Sequence, residues 1–292
     1  MYTQRPAEFT YYRPTSVDEA VGLLSNGDSR PLAGGHSLLP MMKLRLAEPE
    51  TIVDIGRIGG LDGIEDDGDA IRIGALATHA TVAASDLVRS RCRVLATTAE
   101  RIGDRQVRNR GTIGGSLAHA DPAADYPTVV KALGATIVAT GAGGERQIPV
   151  DDFFTGVFTT ALQQGELLTH VLVPTVGAGA GAAYVKHRHP ASGYAVAGVA
   201  ALLKVEAARC TAARLVVGGV TGAPEHASAA EQVMIGIAPV DEAAIAAAAD
   251  KVPEALSGAF GDTYASAAYR VHLATVGAKR AIRAAFDAAG AA

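Results

Sequence analysis

Two glycine turns built on the same plan constrain this chain more than any other feature. The first reads AGGHSLLP, residues 33–40, and the second begins GTIGGSLAHADPAAD, residues 111–125. In each, paired glycines are followed by a helix-forming apolar stretch. Glycine has no Cβ, so another group can approach its backbone amide closely. The first amides of a helix have no intrahelical partner, and the helix dipole adds a partial positive charge there, so both turns favour a phosphate. Ser37 is placed to cap the helix that follows the first turn, and Pro40 is tolerated in its first turn. In the second turn the hydroxyls of Thr112 and Ser116, with the amides of Gly114 and Gly115, are candidate donors to phosphate oxygens. Asp125 precedes an apolar helix carrying Val129, Val130 and Leu133, and can either cap it or accept from a ribose. Two such turns suggest a diphosphate held from both sides, which suits a dinucleotide better than a mononucleotide. Neither turn has the G-x-G-x-x-G spacing or the P-loop lysine.

Periodicity divides the chain into three units. Residues 9–12 and 51–55 read as strands. A Ser16-x-x-Glu19 capping box opens a helix with Val17, Ala20, Val21 and Leu24 on one face. A second helical pattern places Leu39, Met42 and Leu46 together. Gly56, Gly59, Gly60 and Gly63 mark a boundary, giving a first unit of residues 1–58. A larger unit, 59–175, follows. Its strands are IRIGAL, ATIVAT, RQIPV and LLTHVLVP, and Thr78 caps a helix. The Gly/Ala run 176–183 reads as a flexible connector. Three further strands and Ala-rich helices form a third unit, 184–292, whose last helix carries Tyr269, Leu273 and Val276 on one face.

Composition narrows the function. Lys plus Arg number 26 and Asp plus Glu 30, a net charge of −4, which gives no footing for nucleic-acid binding. The apolar stretches are too short for a transmembrane segment, and the N-terminus lacks the pattern of a signal peptide, so a cytoplasmic protein is expected, with any membrane association made through a complex. The two cysteines, Cys92 and Cys210, cannot supply the four thiolates of an iron–sulfur cluster. His187 and His189 form H-x-H, and His119, Asp121 and Asp125 form H-x-D-x-x-x-D, but both read better as ordinary polar positions than as metal ligands. No nucleophile–base pair stands out, so no catalytic side chain is expected.

The segments AGGHSLLPMMKLRL, GTIGGSLAHADPAADYP and YRVHLATVGAKRA resemble the FAD-binding medium subunits of molybdenum hydroxylases, the xanthine dehydrogenase family, and most of all those of the aerobic carbon monoxide dehydrogenase type. The likeness runs the length of the chain. It implies an α+β protein: a p-cresol methylhydroxylase-type FAD-binding domain of two α/β subdomains, then a C-terminal α+β domain with a small antiparallel sheet and helices. It also implies site residues. Ala33, Gly34, Gly35, His36 and Ser37, with Thr112, Ile113, Gly114, Gly115 and Ser116, would hold the FAD diphosphate. Asp125 would serve the ribose side and Leu168 the adenine. Ile102, Lys186 and Tyr194 would lie near the flavin. Ser116 departs from the Asn common in relatives, and both can donate. No cysteine-rich insertion for a [4Fe–4S] cluster is present. The FAD would be noncovalent: His36 matches a GGH sequence used for covalent tethering in certain oxidases, but those need a larger substrate domain.

The resemblance further implies partners: a large subunit carrying the molybdenum cofactor and a small subunit carrying [2Fe–2S] clusters, in a dimer of heterotrimers that passes electrons to an external acceptor. A stand-alone flavin oxidoreductase of the same fold is the alternative.

Overall fold

A computed structural model describes residues 5–239 and 241–290. The first unit is a three-stranded parallel sheet in the order Thr10–Tyr12, Thr51–Asp54, Ser29–Leu32. Its first helix, Val17–Leu24, begins where the Glu19 amide donates to Ser16 Oγ at 3.2 Å, a cap worth about 1 kcal/mol. The capping box is only half made, because the Glu19 carboxylate turns to the Thr15 amide instead. Ala20, Val21 and Leu24 pack on Val53 and Ile55, and burial of Val21 and of Leu24 is worth roughly 1.5–3 kcal/mol each.

The second helix is shorter than its periodicity suggests. It spans Leu38–Lys43 and ends because Arg45 takes a left-handed conformation, φ 58°, while the Leu46 amide folds back to the Met41 carbonyl. Met42 is buried as expected, but Leu46 is 71% exposed.

The second unit is a five-stranded antiparallel sheet in the order Ile64–Asp67, Ala70–Gly74, Leu167–Pro174, Thr136–Gly141, Gly144–Pro149. A helical layer covers one face and includes Arg93–Glu100, Ile113–His119 and Asp125–Leu133. Ile71, Ile73, Leu95, Leu117, Val130, Ile137 and Val171 form its core.

The third unit is a four-stranded antiparallel sheet in chain order, Ala180–Arg188, Ala195–Glu206, Arg209–Gly218, Glu225–His226, crossed by the long helix Ala267–Gly290. The Gly/Ala run is not a free connector: Ala180–Ala183 pair with Ala201–Lys204. Small residues are needed there because a Cβ on Gly181 would stand 1.9 Å from the Ala285 carbonyl oxygen, so the helix backbone rests on the strand. The same close packing selects the helix's inner face. Ala274, Gly277, Ala278, Ala281, Ile282 and Phe286 are buried there, and Tyr269 is 46% exposed.

The third unit is joined to the second by an extensive interface. A Cβ on Gly218 would meet Thr128 Oγ1 at 2.0 Å, and Tyr184, Ala200 and Val216 are part of the second unit's core. Arg214 donates to the Lys131 and Ala132 carbonyls at 2.8 and 3.1 Å and pairs with Asp151. Among the described residues no helix is long and apolar enough to cross a membrane.

Candidate cofactor-binding site

The two glycine turns meet. A Cβ on Gly34 would lie 2.0 Å from the Arg110 carbonyl oxygen and 2.9 Å from Gly111 Cα, so backbone packs directly on backbone. Gly35 is needed for conformation, with φ 76°. Gly114 serves close packing on Ala75, where a Cβ would come to 2.4 Å. Gly115 leaves space above Thr112 Oγ1 and Ala33.

Beside this junction runs a cleft of about 850 Å³, large enough for a dinucleotide by the usual size of cofactor sites. Both turns line it, as do Ile102, Gly103 and Val107 on one stretch, Leu162, Leu167 and Leu168 on another, and Ser192, Gly193 and Tyr194 from the third unit.

The donors are unequally distributed. Among the described residues, the amides of Gly34, Gly35, His36 and Ser37 have no hydrogen-bond partner, although all four residues line the cleft. Ser37 does not cap the Leu38–Lys43 helix; its backbone is already helical and its side chain makes no cap bond. The second turn satisfies itself. The Gly114 amide donates to the Ala75 carbonyl at 2.9 Å, and the Gly115 amide donates to Thr112 Oγ1 at 3.0 Å. What it offers the cleft is the hydroxyl hydrogens of Thr112 and Ser116. Unpartnered amides on one wall and hydroxyls on the other fit a diphosphate. Among the described residues no lysine lines the cleft, and the one arginine that does is Arg30, 3.4 Å from the Asp28 carboxylate.

Sequence comparison agrees with this geometry. Residues 7–176 match the model of the FAD binding domain in molybdopterin dehydrogenase, and residues 182–285 match the CO dehydrogenase flavoprotein C-terminal domain. The chain belongs to the molybdenum-hydroxylase flavoproteins. It is 38% identical over 279 residues to the carbon monoxide dehydrogenase medium chain of Afipia carboxidovorans, covering 95% of this chain and 96% of that one. It is 41% identical to the glyceraldehyde dehydrogenase medium chain of Sulfolobus acidocaldarius, over 79% of this chain and 82% of that one. The fold matches the carbon monoxide dehydrogenase of Hydrogenophaga pseudoflava, solved without the Mo-pyranopterin moiety, with TM-score 0.93 and 40% identity across 97% of this chain and 98% of that one. It also matches quinoline 2-oxidoreductase from Pseudomonas putida 86, with TM-score 0.90 and 32% identity across 98% of this chain and 99% of that one.

Within this flavoprotein most of the residues singled out in the sequence come together on the cleft: Ala33 to Ser37, Ile102, Thr112, Gly114, Gly115, Ser116, Asp125, Leu168 and Tyr194. Three depart from expectation, and two of them, Ile113 and Lys186, do not line the cleft. Ile113 is fully buried, and its amide donates to the Ala77 carbonyl; it anchors the turn from beneath. Asp125 is the first residue of its helix, after Ala124, and does not cap it. Its carboxylate accepts from Tyr184 Oη and Lys186 Nζ, both at 2.7 Å, so its oxygens are engaged within the protein. Lys186, 4% exposed along its side chain, stands behind Asp125 rather than on the cleft wall. Burial raises the Asp125 pKa, against the opposing pull of Lys186 and Tyr184. Partial burial, with the Asp121 and Asp125 carboxylates nearby, raises the Tyr194 phenol and keeps it neutral.

Other cleft residues carried no signal in sequence. His79 lies beneath the second turn, its Nδ1 buried and without a partner, its ring edge-on to Tyr126 at 5.3 Å. Burial, helped by the charges of His36 and Arg108, lowers its pKa to about 4, so it is neutral at physiological pH. Phe158 takes φ 52°, is 54% exposed, and stacks at a tilt on His119 at 5.0 Å. A non-glycine residue held at positive φ is strained, and such strain gathers at binding sites; only the fold reveals it. Among the described residues no group of three His, Cys, Asp or Glu could hold a metal ion.

Proposed function

We propose that this chain binds FAD noncovalently in the cleft and serves as the electron-transfer flavoprotein of a molybdenum hydroxylase. The observation that carries the reading is the row of unpartnered amides at Gly34 to Ser37 facing the Thr112 and Ser116 hydroxyls across one cleft. These groups would hold the diphosphate by hydrogen bonding and helix dipole, without a formal cation. Leu162, Leu167 and Leu168 offer an apolar wall for the adenine. Ile102 and Tyr194 offer a flat apolar and aromatic boundary for the flavin ring, and Asp125, neutralised by Lys186, gives that end a polar but charge-balanced floor. Bound FAD supplies the redox chemistry, taking up electrons singly and releasing them in pairs. The side chains bind, orient and exclude water; none is placed to act as an acid or base.

The electrons would come from [2Fe–2S] clusters of a small partner subunit, fed by a large subunit carrying molybdenum, in a dimer of heterotrimers, and would leave to an external acceptor. Carbon monoxide is the proposed substrate of the complex, supported by the identity to carbon monoxide dehydrogenase medium chains over nearly the whole length. The glyceraldehyde relative shows that this scaffold accompanies other substrates as well. We place the complex in the cytoplasm, and the boundaries of the units at residues 58 and 175, with the third unit starting at the strand Ala180–Arg188 rather than at 184.

The test is to purify the chain, scan its absorbance and then denature it. One FAD per chain, released into the filtrate on denaturation, is expected. No flavin spectrum after reconstitution, or flavin retained on the denatured polypeptide, would overturn the assignment. Pull-down from native extract should bring molybdenum and iron with two partner chains.

A further inference from the structure

The wall of the cleft contributed by the third unit is a short turn, residues 189–194, between the strands Ala180–Arg188 and Ala195–Glu206. It carries Ser192, Gly193 and Tyr194 to the cleft. Its closure depends on one side chain. His189 Nδ1 accepts from the Ala191 amide at 3.2 Å and from the Ser192 amide at 3.1 Å. The His189 backbone completes the turn, its amide donating to the Tyr194 carbonyl at 2.8 Å and its carbonyl accepting from the Gly193 amide at 2.9 Å. Gly193 takes φ 77°, and a Cβ there would lie 3.0 Å from the Arg188 guanidinium. The His189 ring is fixed from outside by Tyr264, with centroids 4.3 Å apart and planes at 62°.

We propose that His189 is a positioning residue for the cofactor cleft: its Nδ1 lone pair gathers the Ala191 and Ser192 amides and so sets Tyr194 against the flavin. The inference rests on the FAD reading above. The chemistry requires an acceptor at that point. Ala191 and Ser192 lie in a tight turn with no strand partner for their amides, and an unsatisfied amide costs more than a formed bond contributes. The Nδ1 lone pair is the acceptor that both amides share. Neither the paired glycines nor any sequence pattern marks this role, because it comes from a side chain folding onto its own backbone.

Three variants separate the acceptor from the ring. His189→Phe keeps an aromatic on Tyr264 without an acceptor. His189→Asn keeps an acceptor near the Nδ1 position without the ring. His189→Ala removes both. The readouts are FAD dissociation constants of the intact chain, and hydrogen exchange of the Ala191 and Ser192 amides in the flavin-free chain. His189→Phe and His189→Ala are expected to weaken FAD by about tenfold, the effect of one to two net hydrogen bonds, and to expose both amides. His189→Asn should restore affinity to within about twofold and protect both amides again. His189→Phe behaving as wild type, or His189→Asn failing as badly as His189→Ala, would overturn the proposal. A wild-type chain that takes up no FAD at all would sink the FAD reading and this proposal's link to it. Amide protection in the flavin-free protein would still report whether His189 holds the turn.

Discussion

Replacing Lys186 with Met tests the charge balance at the floor of the cleft. In the structure Lys186 Nζ and Asp125 Oδ2 are 2.7 Å apart with side chains only 4% and 5% exposed, and Tyr184 Oη donates to the other carboxylate oxygen. Taking two charges out of water is expensive, and their attraction roughly offsets that cost; removing one partner leaves the other buried and alone, at about 3–5 kcal/mol. The Tyr184 hydrogen bond remains in the variant, which places the expected loss at the lower end, about 3 kcal/mol. At roughly 2 °C for each kcal/mol in a chain of this size, the melting temperature should fall by about 6 °C at neutral pH. The sign of the pH dependence follows from Asp125. Its folded pKa is already raised by burial, and loss of Lys186 raises it further. Such a group contributes stability that is fully present below its unfolded pKa and is lost as pH rises through the folded value. Lys186→Met should therefore recover towards wild type as the solution is acidified. The double variant Asp125→Asn with Lys186→Met should recover most of the loss at neutral pH, because no charge is left unpaired. Differential scanning calorimetry of the flavin-free chain across pH measures all three. A loss below about 1 kcal/mol with no pH dependence would mean that Asp125 carries no buried charge, and the argument would fail.

Gly34→Ala should abolish FAD retention in a folded protein, because its Cβ must displace the Arg110 carbonyl; Gly59→Ala, with open space around it, should bind FAD normally in the same flavin titration. FAD affinity should change by less than about threefold over a tenfold rise in salt, since amides and hydroxyls rather than cations face the diphosphate; a steep loss would point to a charged contact instead. His226 sits between Glu231 at 2.7 Å and Asp151 at 2.9 Å, linking the third unit to the second. Burial opposes its charge, but hydrogen bonds from the imidazole to the two carboxylates outweigh it and the net pKa is raised. This tie is therefore fully present below pH 6.5 and is lost as pH rises through the folded value. His226→Gln should flatten that part of the melting-temperature profile, and an unchanged profile would refute the assignment.

The glycine turns could be read from sequence because the need for an absent Cβ leaves its mark in the residue itself. What each glycine does could not. Gly34 and Gly114 provide close backbone packing, while Gly35 provides a left-handed conformation, and only the third dimension separates these. The same limit explains Asp125. From sequence it stands before an apolar helix and invites a capping or ribose role, but its partners, Tyr184 and Lys186, come from a strand about sixty residues on. Periodicity failed at Leu46 because a single left-handed residue, Arg45, ends the helix, and on the last helix the inner face is decided by small residues packed against Gly181, which no periodicity marks.

The meeting of Gly34 with Arg110 and Gly111 makes the cleft a joint between two separately built sheets. Neither half owns a complete site: one brings the bare amides, the other the hydroxyls. A nucleotide seated there would act as a clasp, adding to the cohesion of the two halves an amount that grows with the logarithm of ligand concentration. The polypeptide would then be most vulnerable to proteolysis after synthesis and before loading, and retention of cofactor would double as quality control before the subunit joins its assembly.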